Sequence, residues 1–191
     1  VPGYYGTPLT EIYVRDRQTG TTELVSRQTD GGLANNNSNN GAPAISADGR
    51  FVAFASTASN LAPGCTAGSN ILLHDRQIGE TRCVSTDQIG AQADAASYAP
   101  VISADGRYVA FESYATNLID FGTDTNGERD VFVWDRDASV DSAIRRASVA
   151  DDESEATAQS YRPSISADGR YVAFETTASS LGADGSLPQV F

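Results

Sequence analysis

The stretch ISADGRYVAFE stands at Ile102–Glu112 and again at Ile165–Glu175, and a near copy, ISADGRFVAFA, occupies Ile45–Ala55. Its centre, Ala-Asp-Gly, is turn chemistry: Asp bonds its own backbone and Gly accepts positive φ. The flanks, with Val and aromatic residues, are strand chemistry. Each copy therefore reads as a tight hairpin, with Asp48, Asp105 and Asp168 as turn-formers.

The copies start 57 and 63 residues apart, a spacing that marks an array of supersecondary units. A second block, DVFVWDRD at 130–137 and NILLHDRQIG at 70–79, follows two of them, and EIYVRDRQTG at 11–20 precedes the first. A third block comes next each time: TTELVS from Thr21, ETRCVS from Glu80 and SAIRRAS from Ser142. All three blocks are short and turn-bounded, with no 3.6-residue period, so almost no helix is expected. Four antiparallel strands per unit result.

Strands two and three of a unit are apolar on both faces, as in Val109, Ala110 and Phe111 or Val131, Phe132 and Val133. They must be covered on both sides, which like sheets stacked radially achieve while protecting their edges. The fold class is thus all-β, a propeller of four-stranded antiparallel blades. With the strands of a blade named A to D, the chain runs C-D, A-B-C-D twice, then A-B and the start of C at 189–191. That makes three blade repeats, one split between the termini, in a single domain over 1–191 with repeats at 1–42, 43–99, 100–162 and 163–191.

The pattern of Pro, Ser, Asp-Gly-Arg, an aromatic, Val-Ala-Phe and then D-V-F-V-x-D-R resembles the TolB-like, WD-repeat-like β-propeller family. The matching residues are Pro43 with 46–54, Pro100 with 103–111 and Pro163 with 166–174. The resemblance implies protein partners at a cell envelope and closure of the ring by N-terminal strands; it carries over no binding residue. Three blades do not close alone, so the sequence leaves two readings: part of a longer propeller, or a homodimer sharing split blades.

Charge and length exclude other classes. Acids outnumber bases 25 to 13, which argues against nucleic acid as a partner. No apolar run is long enough to span a bilayer, and all the basic residues are Arg. The two cysteines, Cys65 and Cys83, allow one disulfide, which would place the chain in an extracellular or periplasmic compartment; the alternative is two unrelated thiols.

Candidate chemistry is sparse. DTNGERD at 124–130 sets Asp124, Asn126, Glu128 and Asp130 at alternate positions around a Gly, like the first half of a calcium loop, so Ca2+ is the one cofactor with a case. The matched loops in other repeats lack the acids. The run Asp151–Glu155 reads as a solvated loop, and the Asn-rich loop before Pro43 as a polar connection or a ligand-contacting rim. His74, the only histidine, shares its slot with Arg15 and Trp134, so it reads as a structural edge position, and no catalytic residue is assigned. The expected function is a non-enzymatic binding or scaffold module in an extracytoplasmic assembly. The alternative is a calcium-assisted, carbohydrate-active hydrolase or lyase.

Overall fold

A computed structural model describes residues 8–119, 124–181 and 189–190. Four sheets follow one another along the chain. The first is the hairpin β1 (Tyr13–Asp16) and β2 (Thr21–Leu24). The second runs in order β3 (Ala44–Ile45), β4 (Phe51–Ser56), β5 (Asn70–Asp75) and β6 (Glu80–Cys83). The third repeats it with β7 (Ser97–Ile102), β8 (Tyr108–Ser113), β9 (Asp130–Asp135) and β10 (Ile144–Arg146). The fourth holds β11 (Ser160–Ile165), β12 (Val172–Thr176) and β13 (Gln189–Val190). All pairings are antiparallel. Among the described residues the only helical element is a 3-10 turn at Val140–Ser142.

The repeated turn is built the same way three times. Ser103 Oγ donates to Asp105 Oδ1 at 2.5 Å and accepts from Tyr108 N at 3.0 Å, while Asp105 Oδ1 also accepts from Arg107 N at 2.9 Å. Ser46 with Asp48 and Ser166 with Asp168 make the same bonds. Gly106 closes the turn at φ 69°, where any side chain would be strained. Arg precedes strand B, and strand C ends with Asp in the adjacent place. Arg50 grips Asp75 through two bonds of 2.9 and 2.6 Å, and Arg107 grips Asp135 through 2.8 and 2.7 Å. The paired guanidinium holds each Asp carboxyl below its usual range.

Alternation sorts the apolar side chains to the two faces of a sheet. Val52, Phe54 and Leu72 pack with Ile12 and Val25, which flank the first sheet, whereas Phe51, Ala53, Ile71 and Leu73 pack with Val109, Phe111 and Phe132 of the third. This two-sided cover is why every residue of β4 is buried. Phe54, Phe111 and Phe174 hold one equivalent buried place in the three copies. In the second and third sheets the slot shared by Arg15, His74 and Trp134 is not at a sheet edge: β5 and β9 are interior strands, and His74 and Trp134 are buried there.

Among the described residues β1–β2 and β11–β12–β13 form separate sheets, and the blade read as split between the termini is not assembled there. The last sheet takes its third strand from β13, at the place expected for the start of strand C, paired at Glu175 and Thr176.

Candidate functional site

The acidic loop after β8 draws its charges inward. Asp124, Asp130 and Glu155 bring carboxylate oxygens within 4.8 Å of one another. Between them lies Arg146 on β10, 3.3 Å from Asp130, 3.7 Å from Asp124 and 2.6 Å from Glu155. The Asp130 and Asp124 side chains are 0% and 1% exposed and Arg146 is 3% exposed, so one guanidinium faces three carboxylates away from water. Burial pushes Asp130 up to about 6, opposed by Ser148 and Arg146 and reinforced by the other two acids; burial raises Asp124 as well. Against its own partial burial, Glu155 is held below the usual range by Thr125 and Arg146.

Of the four residues expected to ligate calcium, only Asp124 and Asp130 converge. The Asn126 amide donates to Ala156 O at 2.6 Å while its oxygen accepts from Glu128 N, and Glu128 is exposed. Glu155 takes the third place, separating from the solvated acids at 151–153 because its oxygen accepts from Thr125 N at 3.0 Å and Thr125 Oγ1 at 2.7 Å.

Superposing the repeats shows what this place is. Cys83 lies opposite Leu72 in the second sheet as Arg146 lies opposite Phe132 in the third. Gln92 Oε1 accepts from Thr66 N as Glu155 does from Thr125 N. Ser85 bonds Asn70 as Ser148 bonds Asp130. The second sheet therefore sets the disulfide Cys65–Cys83, with Cα atoms 5.6 Å apart, where the third sets Asp124 and Arg146. Both fasten the loop leaving strand B to strand D. Arg146 and Glu155 were hidden in separate sequence blocks; laying SAIRRAS over ETRCVS would have aligned Arg146 with Cys83.

His74 lies inside the core, where its Nδ1 meets Thr81 Oγ1 at 2.9 Å and burial lowers its pKa.

A second arrangement lies at the ends of the sheets opposite the Ala-Asp-Gly turns. The first strands of the third and fourth sheets carry register shifts between Tyr98 and Val101 and between Tyr161 and Ser164. Within them Ala99 and Arg162 adopt φ of 48° and 52°, unusual for side-chain-bearing residues. Beside the first bulge opens a groove of about 410 Å3 lined by Asn40, Gly41, Tyr98, Ala99, Glu112, Tyr114 and Arg129. The Arg129 guanidinium stacks over Tyr114 at 4.8 Å, receives the Tyr114 hydroxyl at 2.7 Å as acceptor for its Nη2, and bonds Glu112 at 2.7 Å. Glu112 in turn accepts from Arg162 N at 2.7 Å, so one buried carboxylate fixes both the stacked Arg and the second bulge. The sequence does not single these residues out, because Tyr114 and Arg129 lie in different blocks.

Comparison with known proteins fits this architecture. TolB from Acinetobacter baumannii matches with a TM-score of 0.54 at 20% identity, over 94% of this chain and 34% of that one. The putative TolB from Agrobacterium tumefaciens matches with a TM-score of 0.52 at 16% identity, over 94% of this chain and 51% of that one. The fold is thus of the TolB-like β-propeller type. The chain spans between a third and a half of the length of these two proteins. No family model and no curated protein sequence matches it. Among the described residues no helix is long and apolar enough to cross a membrane.

Proposed function

We propose that the chain is a non-enzymatic propeller module that binds a protein partner in an extracytoplasmic assembly. The Tyr98–Tyr114–Arg129 groove carries this reading. Tyr and Arg are the residues in which binding energy concentrates at protein interfaces, and here Glu112 holds them in a fixed arrangement beside two bulges, which lowers the cost of ordering them on binding. The disulfide supports the compartment, since such bonds persist where the medium is oxidising. The partner is a separate protein, the adjoining blades of a longer propeller, or a second copy.

The test is photo-crosslinking in the native host, with the photoreactive side chain placed at Tyr114 and, as control, at Ile89 on an exposed loop. A single adduct at 114, absent at 89 and lost in Arg129→Ala, is the expected result. Equal labelling at both positions would remove the groove from consideration.

One observation favours a second reading, a calcium-assisted propeller acting on carbohydrate: Arg146 offsets only one of the three negative charges in its cluster. A thermal midpoint raised by millimolar calcium, together with a glycan-cleaving activity lost in Asp124→Ala, would carry that reading. A midpoint indifferent to calcium leaves Arg146 as the cluster's own counter-ion.

A further inference from the structure

The sequence holds two Asn-Gly pairs, Asn40–Gly41 at the groove and Asn126–Gly127 in the acidic loop. Such a pair is open to a reaction of its own. The backbone nitrogen after the asparagine attacks the side-chain carbonyl carbon Cγ; a C–N bond forms, ammonia leaves, and a succinimide ring results. Water then opens either ring carbonyl, giving aspartate or isoaspartate. Glycine permits the attack because no Cβ crowds the nitrogen. Three conditions remain: the amide must be free to turn, the next N–H must be unbonded, and water must reach the ring.

Water does not separate the two pairs, since Asn40 and Asn126 are each half-buried and each is followed by an exposed glycine. Hydrogen bonding does. Asn126 Nδ2 donates to Ala156 O at 2.6 Å, its Oδ1 accepts from Glu128 N, and Gly127 N donates to Asp124 Oδ1 at 3.3 Å. Turning that amide onto Gly127 N would break all three bonds. Asn40 has no such restraint. Among the described residues neither its side chain nor the Gly41 N–H makes a hydrogen bond, and the one bond at the pair runs from Ala99 N to Asn40 O at 3.5 Å.

The glycine after Asn40 is itself required by the groove. Gly41 stands at φ 124°, and a Cβ there would lie 3.0 Å from Ala99 N and 3.1 Å from Ala99 Cα, against the first bulge. The close approach of the Asn-rich loop to that bulge thus selects the residue that makes Asn40 labile.

We infer that Asn40–Gly41 is a self-modification site at which the folded protein deamidates, and that the products recharge the groove. The charged side chains lining the groove are Glu112 and Arg129, which neutralise each other. Either product adds a carboxylate at residue 40, while Arg129 is already engaged by Glu112 and Tyr114. Isoaspartate also routes the main chain through the former side chain, which lengthens it by a methylene and turns the carbonyl that accepts from Ala99 N into the free carboxylate. The groove therefore passes from neutral to anionic, and its wall at the first bulge is displaced. That this alters partner binding rests on the function proposed for the groove; the deamidation does not.

Mass mapping of the full chain tests it. One sample is kept folded and another unfolded in guanidinium, both warm and at mildly alkaline pH, and each is digested with trypsin. Peptides 28–50 and 108–129 carry the two pairs, and fragmentation assigns the modified residue. In the folded sample Asn40 should gain about one dalton several-fold faster than Asn126, with isoaspartate as the larger product. In the unfolded sample the two should react at like rates. Asn40→Gln should remove the gain at that position. A folded chain in which both convert alike, in which Asn126 leads, or in which Asn40 keeps its amide while the unfolded chain loses it, overturns the inference. So does a product free of isoaspartate, which would mean direct hydrolysis without the succinimide. None of these outcomes needs a partner, so the chemistry at Asn40 and the role of the groove can each fail alone.

Discussion

The second and third sheets solve the same mechanical problem with different chemistry. In one, the loop leaving strand B is tied to strand D by the covalent bond Cys65–Cys83; in the other, Asp124 and Arg146 hold the same two places, with Asp130 and Glu155 where the second sheet has Asn70 and Gln92. The first sheet places Leu24 opposite Tyr13 at the same strand D position. The repeat fixes where a fastening goes, and the side chains decide how it responds to its surroundings. A disulfide acts chiefly by constraining the unfolded chain and is indifferent to pH, whereas a buried ion cluster stands between large opposing desolvation and Coulomb energies.

The largest effect is expected from removing the cation. Arg146→Met would leave Asp124, Asp130 and Glu155 together with no other paired cation among the described residues, and breaking a buried pair in this way costs about 3–5 kcal/mol. Chemical denaturation at pH 7.5 should show a loss of that size, and the loss should shrink as the pH is lowered and the acids take up protons. A variant as stable as the parent would show that the cluster fastens nothing, and the parallel with the disulfide would fall.

Next comes the covalent side of the comparison. The bond closes a loop of 18 residues, for which chain entropy gives about 3 kcal/mol. Cys65→Ala with Cys83→Ala should lose somewhat more, because both sulfurs lie in or against the apolar cluster around Val52, Phe54 and Leu72. Reductant should lower the thermal midpoint of the parent and leave that of the double variant unmoved. If reductant moves neither, the loop is held by Thr66, Gln92 and its own packing, and the second sheet needs no cross-link.

Much of this was legible in the sequence, and the boundary of legibility is physical. The hairpins, their order and the two-sided burial follow from the Asp-Gly turn and the apolar alternation, which are local patterns that each copy restates. The Cys65–Cys83 pair could be posed as a candidate because two cysteines allow one pairing. The ion cluster was half legible: Asp124 and Asp130 lie in one loop, but Arg146 and Glu155 reach it from a strand and a loop further along the chain. Asn126 and Glu128 fitted a spacing borrowed from calcium loops, yet here that segment spends its polar groups on Ala156 O and on its own turn. The Tyr98–Tyr114–Arg129 groove was not legible, since the bulges that shape it come from positive φ at Ala99 and Arg162, which no side chain announces. Nor could the sequence distinguish Tyr108 from Tyr171, which stand in identical eleven-residue copies; only the neighbouring sheet makes one half-buried and the other exposed.

The smallest effect is also the one that separates the two fastenings most cleanly. Asp130 is protonated up to about pH 6 in the folded protein, against an ordinary value near 4 in the unfolded chain. The folded state therefore binds more protons between those values, and the contribution of this residue to stability is full below about pH 4 and declines as the pH rises through 6. Asp124 is shifted in the same direction and adds to this decline, whereas Glu155 is shifted in the opposite one and offsets part of it. Asp130→Asn places in the third sheet the residue that the second sheet has at Asn70, and it removes the most deeply buried of the three charges. Relative to the parent, this variant should gain stability as the pH is raised from 4 to 7 and cross from less to more stable within that interval. The acids gripped by Arg50 and Arg107 titrate alike in both proteins and cancel in the difference. A difference that stays flat with pH would mean that Arg146 already satisfies all three carboxylates, and that the ionic fastening, like the disulfide, does not sense protons.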